Sequence, residues 1–355
     1  MNAPTAAPLL VTDDELLLAD LVRLAAAAGV DPEIARASAP ALRAWASAPV
    51  VLVGPDRAGD LARCRPPRRS AVHVVGRGAL PDELFRDALA IGAESVTGLP
   101  VSESWLVELL TDIGDGGGAG GVTVGVVGGA GGVGATVFAA ALAQVCAADG
   151  SALVVDADPL GAGIDRVLGV EHVDGIRWDA LLRATGRLSA RSLREALPRR
   201  DRLSVLSWPA DRTPSLQAFA MREALSAGRR GFATVVVDVP RHPDPVLDEV
   251  LARCDQVLLV STLTVPAVAA AARLAARLPS GSRSGLVLRG GAAGIAPHEV
   301  GRLLDLPVLA TMADQRGLDE AISLGIGPLR SGRGTLARAA RQVAAALRSR
   351  PRVAA

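Results

Sequence analysis

The residues with the clearest chemical signature form one glycine-rich segment, GGAGGVGAT at positions 128–136. It matches the phosphate-binding pattern G-x-x-x-x-G-K-[ST], except that alanine stands where the pattern has lysine. Backbone N–H groups and a helix N-terminus attract phosphate without help from that side chain. The sequence therefore predicts a phosphate-binding loop without its positive charge, formed by Gly129, Ala130, Gly131, Gly132, Val133, Gly134, Ala135 and Thr136.

Acidic residues at the ends of two later apolar strand patterns point to the same kind of site. The segment SALVVDAD ends with Asp156 and Asp158, and the strand pattern TVVVD ends with Asp238. Thr136 takes the loop position whose hydroxyl binds Mg²⁺ in proteins of this pattern. These neighbours favour a nucleoside triphosphate with Mg²⁺ as the ligand, because Mg²⁺ prefers oxygen donors.

The same glycines also satisfy a second pattern, the dinucleotide-binding fingerprint G-x-G-x-x-G. Gly129, Gly131 and Gly134 supply its glycines, and Asp156 follows about 20 residues later at a strand end. A Rossmann-type oxidoreductase is therefore an alternative, although it needs neither Thr136 nor a second acidic strand end.

The composition indicates an α/β protein of two domains. At 355 residues the chain is long for one domain, and half of its residues are apolar while only 2% are aromatic. Its 38 basic residues, all arginine, nearly balance 37 acidic residues and leave a net charge of +1. Because the chain has no global charge to attract nucleic acid, we expect no specific nucleic-acid partner and interpret the basic segments 65–70, 197–202 and 227–230 as solvated loops. Three scattered cysteines suggest neither disulfides nor a zinc site and fit the cytoplasm.

Apolar strand patterns alternate with helical patterns along the chain, which predicts parallel sheets with helices on both faces. In the second half, strands at VTVGVVGG, SALVVDAD, GFATVVVDVP, QVLLVST and SGLVLRG place the glycine-rich segment and the aspartates at strand ends. The run DGGGAGG separates the two halves. We expect a first domain at 1–114, a linker at 115–121 and a doubly wound domain at 122–355.

Residues 122–347 resemble the MinD/ParA group of deviant Walker ATPases. The loop of that family reads KGGxGK[ST], whereas this chain has AGGVGAT, with Ala130 at the signature lysine and Ala135 at the Walker lysine. The segments VVDADPLGAGID and VVVDVPR are similar to the switch region and the Walker B strand of the family. The resemblance implies a P-loop fold with a degenerate phosphate loop.

The resemblance also implies a role for each acidic residue. Asp158 would orient the attacking water, while Asp156 and Asp238 would hold Mg²⁺ together with Thr136. In the family, the two lysines stabilise charge on the transferred phosphoryl group. Losing one such contact typically costs about 2.7–4 kcal/mol in the transition state. We therefore expect a pseudo-ATPase, with at most weak ATP hydrolysis.

Both loop positions have lost the positive charge itself and not only the lysine. All basic residues of the chain are arginine, but these two positions carry alanine. An arginine from elsewhere could replace the charge. Arg241 beside the Walker B strand and Arg289 after the SGLVLRG strand are the candidates, and we count Arg289 among the nucleotide-binding residues.

Residues 8–114 are similar to the receiver domain of response regulators, with Asp13 and Asp14 after the first strand pattern. Gly54 stands where a receiver has its phosphorylated aspartate, and Asp56 follows too late to replace it. We expect a flavodoxin-like pseudo-receiver that is not phosphorylated and that docks a partner.

A pseudo-receiver joined to such a domain resembles the CpaE/TadZ pilus-localisation proteins and, most closely, the septum-site-determining Ssd proteins. The segments GVEHVDGIRWDALL, LSVLSWP and RGLDEAISLGIGPL carry this likeness, and Trp178 and Trp208 within them are interpreted as core or interface anchors. The likeness implies a homodimeric spatial regulator or scaffold, recruited to the septum or pole by a partner from the division or Flp/Tad pilus machinery. The alternative is a slow ATP-dependent switch that attaches to membrane or nucleoid.

The C-terminal segment 334–347 predicts an amphipathic helix with Leu336, Ala340, Val343 and Leu347 on one face. In MinD a helix at this place binds membrane, but this one lacks bulky anchors. We expect it to pack on its own sheet, so that membrane association is at most peripheral.

Overall fold

The computed structural model describes residues 7–78, 80–114, 121–182, 188–210, 215–242, 244–278, 284–291, 294–330 and 332–348. These residues fall into two compact units, one up to residue 114 and one from 121 to 348. The predicted linker at 115–121 lies outside the described residues except for Gly121.

The first unit alternates short strands and helices. Its elements are β1 (Leu9–Val11), α1 (Glu15–Ala27), β2 (Glu33–Ala35), α2 (Ser38–Ala44), β3 (Val51–Val53), α3 (Pro55–Cys64), β4 (Val72–Arg77), α4 (Glu83–Ala90), β5 (Ser95–Leu99) and α5 (Glu103–Gly114). Within the described residues the strands form one five-stranded parallel sheet in the order β2-β1-β3-β4-β5. This is the flavodoxin-like order that the sequence predicts.

Helices cover both faces of this sheet, as the alternation of side chains along each strand requires. Leu9 and Val11 face a core shared with α2, α3 and α4, whereas Leu10 between them faces a core shared with α1 and α5. The apolar patterns of the sequence do not reveal β2, α2 and α3. The first of these is an edge strand with two of three residues exposed, and α3 buries only Ala58 and Leu61, so neither has a strong apolar pattern.

The second unit is larger. Its elements are β6 (Val122–Gly128), α6 (Ala135–Asp149), β7 (Ala152–Asp156), α7 (Ile164–Leu168), α8 (Trp178–Leu181), α9 (Ala190–Ala196), β8 (Arg199–Arg200), β9 (Leu203–Leu206), α10 (Ala218–Gly231), β10 (Thr234–Val239), α11 (Pro245–Arg253), β11 (Gln256–Thr262), α12 (Val265–Ala275), β12 (Ser284–Arg289), α13 (Pro297–Leu304), β13 (Val308–Met312), α14 (Leu318–Ser323) and α15 (Thr335–Arg348).

Within the described residues these strands form one eight-stranded sheet in the order β13-β12-β11-β6-β10-β7-β9-β8, parallel except for the β8–β9 pair. One face packs against α6, α7 and α15, and the other packs against α8 to α13. After β6 the chain forms β7 to β10 on one side of that strand, and it then forms β11 to β13 on the other side. The loop after β6 therefore lies where the strand order reverses, which is the place where doubly wound sheets bind ligands.

Two of the basic segments differ from their interpretation as solvated loops. Arg199 and Arg200 form β8, and residues 227–230 lie in α10, where Ala227 and Gly228 are buried. The sequence does not predict these two elements, because a polar edge strand and the arginine-rich end of an amphipathic helix have little apolar pattern. The strands β9 and β13 were likewise not predicted.

The predicted C-terminal helix is present as α15, and its apolar face is covered. Leu336, Ala340 and Val343 are buried against the sheet, and Leu347 is partly buried beside them. Among the described residues, none of the helices has both the length and the apolar character that a bilayer span needs.

Candidate phosphate-binding site

The glycine-rich loop connects β6 to α6 and faces open space. Gly132 and Gly134 have φ angles of +71° and +90°, in the left-handed region that favours glycine. A Cβ atom added to Gly131 or Gly132 would meet nothing within 4 Å. At the base of the loop, by contrast, a Cβ on Gly129 would lie 2.7 Å from the Cβ of Ala271, so this position is closely packed against α12.

The backbone of the loop offers unused hydrogen-bond donors. The N–H of Gly129 donates to the carbonyl of Val260 at 2.8 Å and anchors the loop to β11. Within the described residues, the N–H groups of residues 131–136 donate to no protein acceptor. Free N–H groups at a helix N-terminus, beside open space, form a cradle that fits a phosphate group. The loop therefore fits a nucleotide phosphate even without the two lysines.

Asp156 and Asp238 lie side by side at the carboxyl ends of β7 and β10, where the strand register pairs their Cα atoms. Both side chains are buried. Burial raises the pKa of Asp238 to about 7, the negative charge of Asp156 adds to the rise, and a hydrogen bond from the Thr136 hydroxyl opposes it. The pKa of Asp156 is raised to about 6, mainly by burial. A cation bound between the two carboxylates and the Thr136 hydroxyl would stabilise the charged carboxylates and so lower both pKa values.

Asp156 and Asp158, the two acidic residues at the end of SALVVDAD, have different surroundings. Asp156 accepts hydrogen bonds from the backbone of Asp158 at 3.1 Å and of Ile164 at 2.9 Å, and from the Ser207 hydroxyl at 3.3 Å. Asp158 lines the open cavity, and its carboxylate accepts from the N–H of Leu160 at 3.0 Å. Asp156 thus shapes the turn from behind, whereas Asp158 faces the place where a ligand would lie.

The cavity above the loop has a volume of about 720 Å³, within the usual range for small-molecule sites. Residues 130–137 and Asp238 form one side of it, and residues 312–320 after β13 form the other. Within the described ranges, no group of three or more His, Cys, Asp or Glu side chains is placed to hold a metal ion. Mg²⁺ here would depend on Thr136, Asp238 and phosphate oxygens, as is usual for Mg²⁺ bound with nucleotides.

Both arginines proposed as replacements for the lost charge line this cavity. Arg289 ends β12, and its Nη1 lies 3.3 Å from the carbonyl oxygen of Gly132 in the loop. Its Nε donates to Asp314 at 2.6 Å. Arg241 follows β10 and is exposed on the opposite side of the loop.

A buried polar network that no sequence pattern predicts lies next to Asp156, on the side away from the cavity. The Ser207 hydroxyl reaches Asp165 at 3.0 Å, and Asp165 in turn pairs with Arg177 at 3.4 Å. Trp178 donates its indole N–H to the carbonyl of Asp156 at 2.7 Å. The polar residues gave no sequence signal, because they come from three separate segments that only the sheet brings together.

Trp178 and Trp208 are core residues. They are 0% and 8% exposed, and their ring centroids lie 6.0 Å apart. This decides between the two roles, core or interface anchor, that the sequence left open.

In the first unit, Asp56 occupies the space above Gly54. A Cβ on Gly54 would lie 2.3 Å from Oδ1 of Asp56, which accepts from the Thr12 hydroxyl at 2.7 Å, while Oδ2 of the same carboxylate accepts from the Asp13 N–H at 2.7 Å. Arg57 pairs with Asp13 at 2.9 Å. The carboxyl end of this sheet is therefore filled by internal ion pairs and hydrogen bonds.

Comparison with known proteins gives relatives that cover most of the chain. A family model described as "Rv3660c-like, CheY-like N-terminal domain" matches residues 11–121. "Uncharacterized protein Rv3660c" of Mycobacterium tuberculosis (strain ATCC 25618 / H37Rv) is 38% identical over 330 residues, which cover 91% of this chain and 93% of that protein.

Solved structures of MinD and ParA proteins match the second unit in fold. A ParA family ATPase from Chlorobium tepidum TLS has a TM-score of 0.55 at 18% identity and covers 64% of this chain and 99% of its own. The septum site-determining protein MinD from Pyrococcus horikoshii OT3, complexed with Mg-ADP, has a TM-score of 0.55 at 18% identity, with 64% and 96% covered. The MinC:MinD cell division protein complex of Aquifex aeolicus gives 0.54 at 18% identity, with 66% and 98% covered. At these identities the likeness shows the fold, which is MinD/ParA-like.

Proposed function

Because the chain belongs to the Rv3660c-like family, with a CheY-like unit followed by a MinD/ParA-like unit, we propose that it is a spatial regulator that acts by binding nucleotide and dimerising, with little turnover. The processes we propose for it are cell division, as in Ssd proteins, or positioning of Flp/Tad pili, as in the CpaE/TadZ branch. A similar fold in a septum site-determining protein and in a MinC:MinD complex supports this class of function.

One observation carries the proposal: the phosphate cradle is preserved while both of its lysines are absent. Free N–H groups and left-handed glycines remain in the loop, and Ala130 and Ala135 stand at the lysine positions. Backbone donors bind a phosphate in its ground state, whereas the missing charges would act most strongly on the transition state. The arrangement therefore favours binding of ATP or ADP with Mg²⁺ over hydrolysis.

The proposed site consists of the loop, Arg289 and the two oxygen donors of the metal position. Thr136 and Asp238 would hold Mg²⁺, with Asp156 acting through water or through the turn that it shapes. When bound, Mg²⁺ would neutralise phosphate charge beside the buried carboxylates.

The two units divide the work in this proposal. The second unit forms a homodimer that nucleotide stabilises, and the first unit docks a protein of the division or pilus machinery. The ion pairs that fill the carboxyl end of the first sheet support docking over phosphorylation, because Asp56 and Asp13 are already engaged. We place the protein in the cytoplasm, recruited to the septum or pole.

A slow ATPase switch is a second candidate, supported by one specific observation. Asp158 and Asp238 both line the cavity, which supports a role for Asp158 in orienting water and for Asp238 in holding a metal. This candidate predicts steady phosphate release that disappears in Asp158→Ala.

The test is calorimetric titration of the full chain with ATP and with ADP, each with and without Mg²⁺, together with light scattering to measure its mass. We expect Mg²⁺-dependent binding, a shift from monomer to dimer, and phosphate release below about one thousandth of that of an active P-loop enzyme. Ala135→Lys is the matched positive control, since it restores one charge and should tighten ATP binding about tenfold or more.

The outcomes separate the candidates. Binding and dimerisation without turnover support the proposal, while turnover that needs Asp158 supports the switch. No binding by the wild type, with clear binding by Ala135→Lys, would refute a nucleotide-dependent function.

A further inference from the structure

Arg289 places its guanidinium against the second half of the phosphate loop. Nη1 lies 3.3 Å from the Gly132 carbonyl oxygen, and a Cβ on Gly134 would lie 3.2 Å from the same nitrogen. The side chain is 35% exposed and lines the cavity. Its charge therefore lies beside the cradle while it remains accessible to a ligand.

Asp314 holds this guanidinium by one edge only. The ion pair of 2.6 Å uses Nε, and within the described residues Nη2 has no acceptor. Because guanidinium has five donors in a planar fork, the remaining N–H groups stay available for phosphate oxygens. Asp314 thus orients Arg289 without neutralising its hydrogen-bonding capacity.

The strand order shows which phosphate the guanidinium would reach. Asp238 on β10 and Asp158 after β7 lie on one side of β6, and Arg289 on β12 lies on the other. Groups that hold the metal and orient water gather at the terminal phosphate, where the bond breaks. The nucleoside must then extend toward β12 and the loop after β13, so Arg289 lies near the phosphates next to the nucleoside.

We propose that Arg289, oriented by Asp314, binds the phosphates nearest the nucleoside in a bound nucleoside di- or triphosphate and supplies the charge that the loop has lost. The inference rests on the proposed function, because it requires that this pocket binds nucleotide. In this arrangement the positive charge lies beside the phosphates nearest the nucleoside and not beside the terminal phosphate, where the reaction takes place. It strengthens ADP and ATP binding alike and leaves hydrolysis uncatalysed.

Arg241 offers a matched contrast within the same cavity. It follows Asp238 at the end of β10, on the side of the metal position, so any contact with phosphate would be with the terminal one. Arg289→Ala should weaken binding of both nucleotides to a similar extent, whereas Arg241→Ala should weaken ATP binding more than ADP binding. Each variant removes one arginine charge from the site, Arg289→Ala at the nucleoside end and Arg241→Ala at the end of the terminal phosphate.

The experiment is calorimetric titration of the full chain with Mg·ADP and Mg·ATP for the wild type, Arg289→Ala, Arg241→Ala and Asp314→Asn. We expect Arg289→Ala to lower affinity for both nucleotides about 10- to 100-fold, to a similar extent, as fits loss of a charge-assisted contact. Asp314→Asn should lower both about 3- to 10-fold, because the guanidinium is kept but loses its orientation. Unfolding midpoints without nucleotide, equal to that of the wild type, would show that the variants are folded.

Other affinities of Arg289→Ala or of the wild type would contradict the proposed role of Arg289. Unchanged affinity in Arg289→Ala overturns the inference but leaves the proposed function standing, since the wild type still binds. A loss confined to ATP would show that Arg289 acts on the terminal phosphate and would overturn its assignment. If the wild type binds neither nucleotide while Ala135→Lys binds both, the proposed function and the inference fall together.

Discussion

Trp178 stabilises the turn that carries the acidic residues through one buried hydrogen bond. Its indole N–H donates to the Asp156 carbonyl at 2.7 Å, while its backbone N–H donates to the Ser207 carbonyl at 3.1 Å. The turn between β7 and α7 is therefore fixed from the side opposite the cavity. Asp158 keeps its direction toward the cavity because Asp156, two residues earlier, is held at both its backbone carbonyl and its carboxylate.

At the residue scale we expect Trp178→Phe to destabilise the second unit more than Trp208→Phe does. Both changes remove a similar volume, but within the described residues the indole nitrogen of Trp208 has no partner. Only Trp178→Phe loses a hydrogen bond, and leaving a buried acceptor without its donor costs about 1–3 kcal/mol. Urea unfolding of the two variants measures the difference, and equal free energies of unfolding would contradict the role of the hydrogen bond.

The helices α10 and α11 are joined by an ion cluster around Glu249. Arg222 of α10 contacts this carboxylate with two nitrogens at 2.8 and 3.1 Å, and Arg253 contacts it from its own helix at 2.5 Å. The hydrogen bond from Arg222 lowers the pKa of Glu249 below its ordinary value of 4.5. Parallel N–H donors of one arginine make this pair stronger than a single surface contact.

At the element scale we expect Glu249→Gln to lower the free energy of unfolding by about 1 kcal/mol at pH 7. A carboxyl whose pKa is lowered by folding stabilises the protein above its unfolded pKa and loses this effect as the pH falls through its folded pKa. The difference between variant and wild type should therefore shrink below pH 4.5. Denaturant unfolding at pH 7, 5 and 4 measures it.

Asp248→Asn is the control for this change, because Asp248 is the exposed neighbour on α11 and has no ion pair within the described residues. A pH dependence of the same size in both variants would show that the effect comes from net charge and not from the arginine contacts.

At the scale of the whole molecule, the described residues of each unit form a pair of hydrophobic cores made from that unit's own side chains. The cradle, the acidic residues and the cavity lie entirely in the second unit. Separate cores allow separate unfolding, and a ligand stabilises only the unit that binds it.

We expect calorimetry of the full chain to show two transitions, of which Mg·ATP raises one. At 100 times its Kd a ligand adds about 2.7 kcal/mol, which corresponds to about 5–10 °C for a unit of this size. Leu52→Ala, at a fully buried position of the first sheet, should lower the other transition alone. One joint transition that moves with both changes would show that the units unfold together.

Much of the architecture was predictable because parallel, doubly covered strands have continuous apolar patterns. The strands β6, β7, β10, β11 and β12 could be found this way, together with the glycine-rich loop and the aspartates at their ends. Elements with polar or edge positions, such as β2 and β8, could not be found, since little apolar area marks them.

The sequence by itself determined the two-unit α/β design, the lysine-free loop and the acidic residues near it, because these depend on residue type and local spacing. Only the tertiary structure decided which distant groups meet. The sheet brings Ser207 and Asp165 behind Asp156, and it brings Arg289 to the loop from 157 positions away. The order of strands places the arginine and the carboxylates on opposite sides of β6. Strand order depends on how the whole chain buries its apolar surface, which no local pattern encodes.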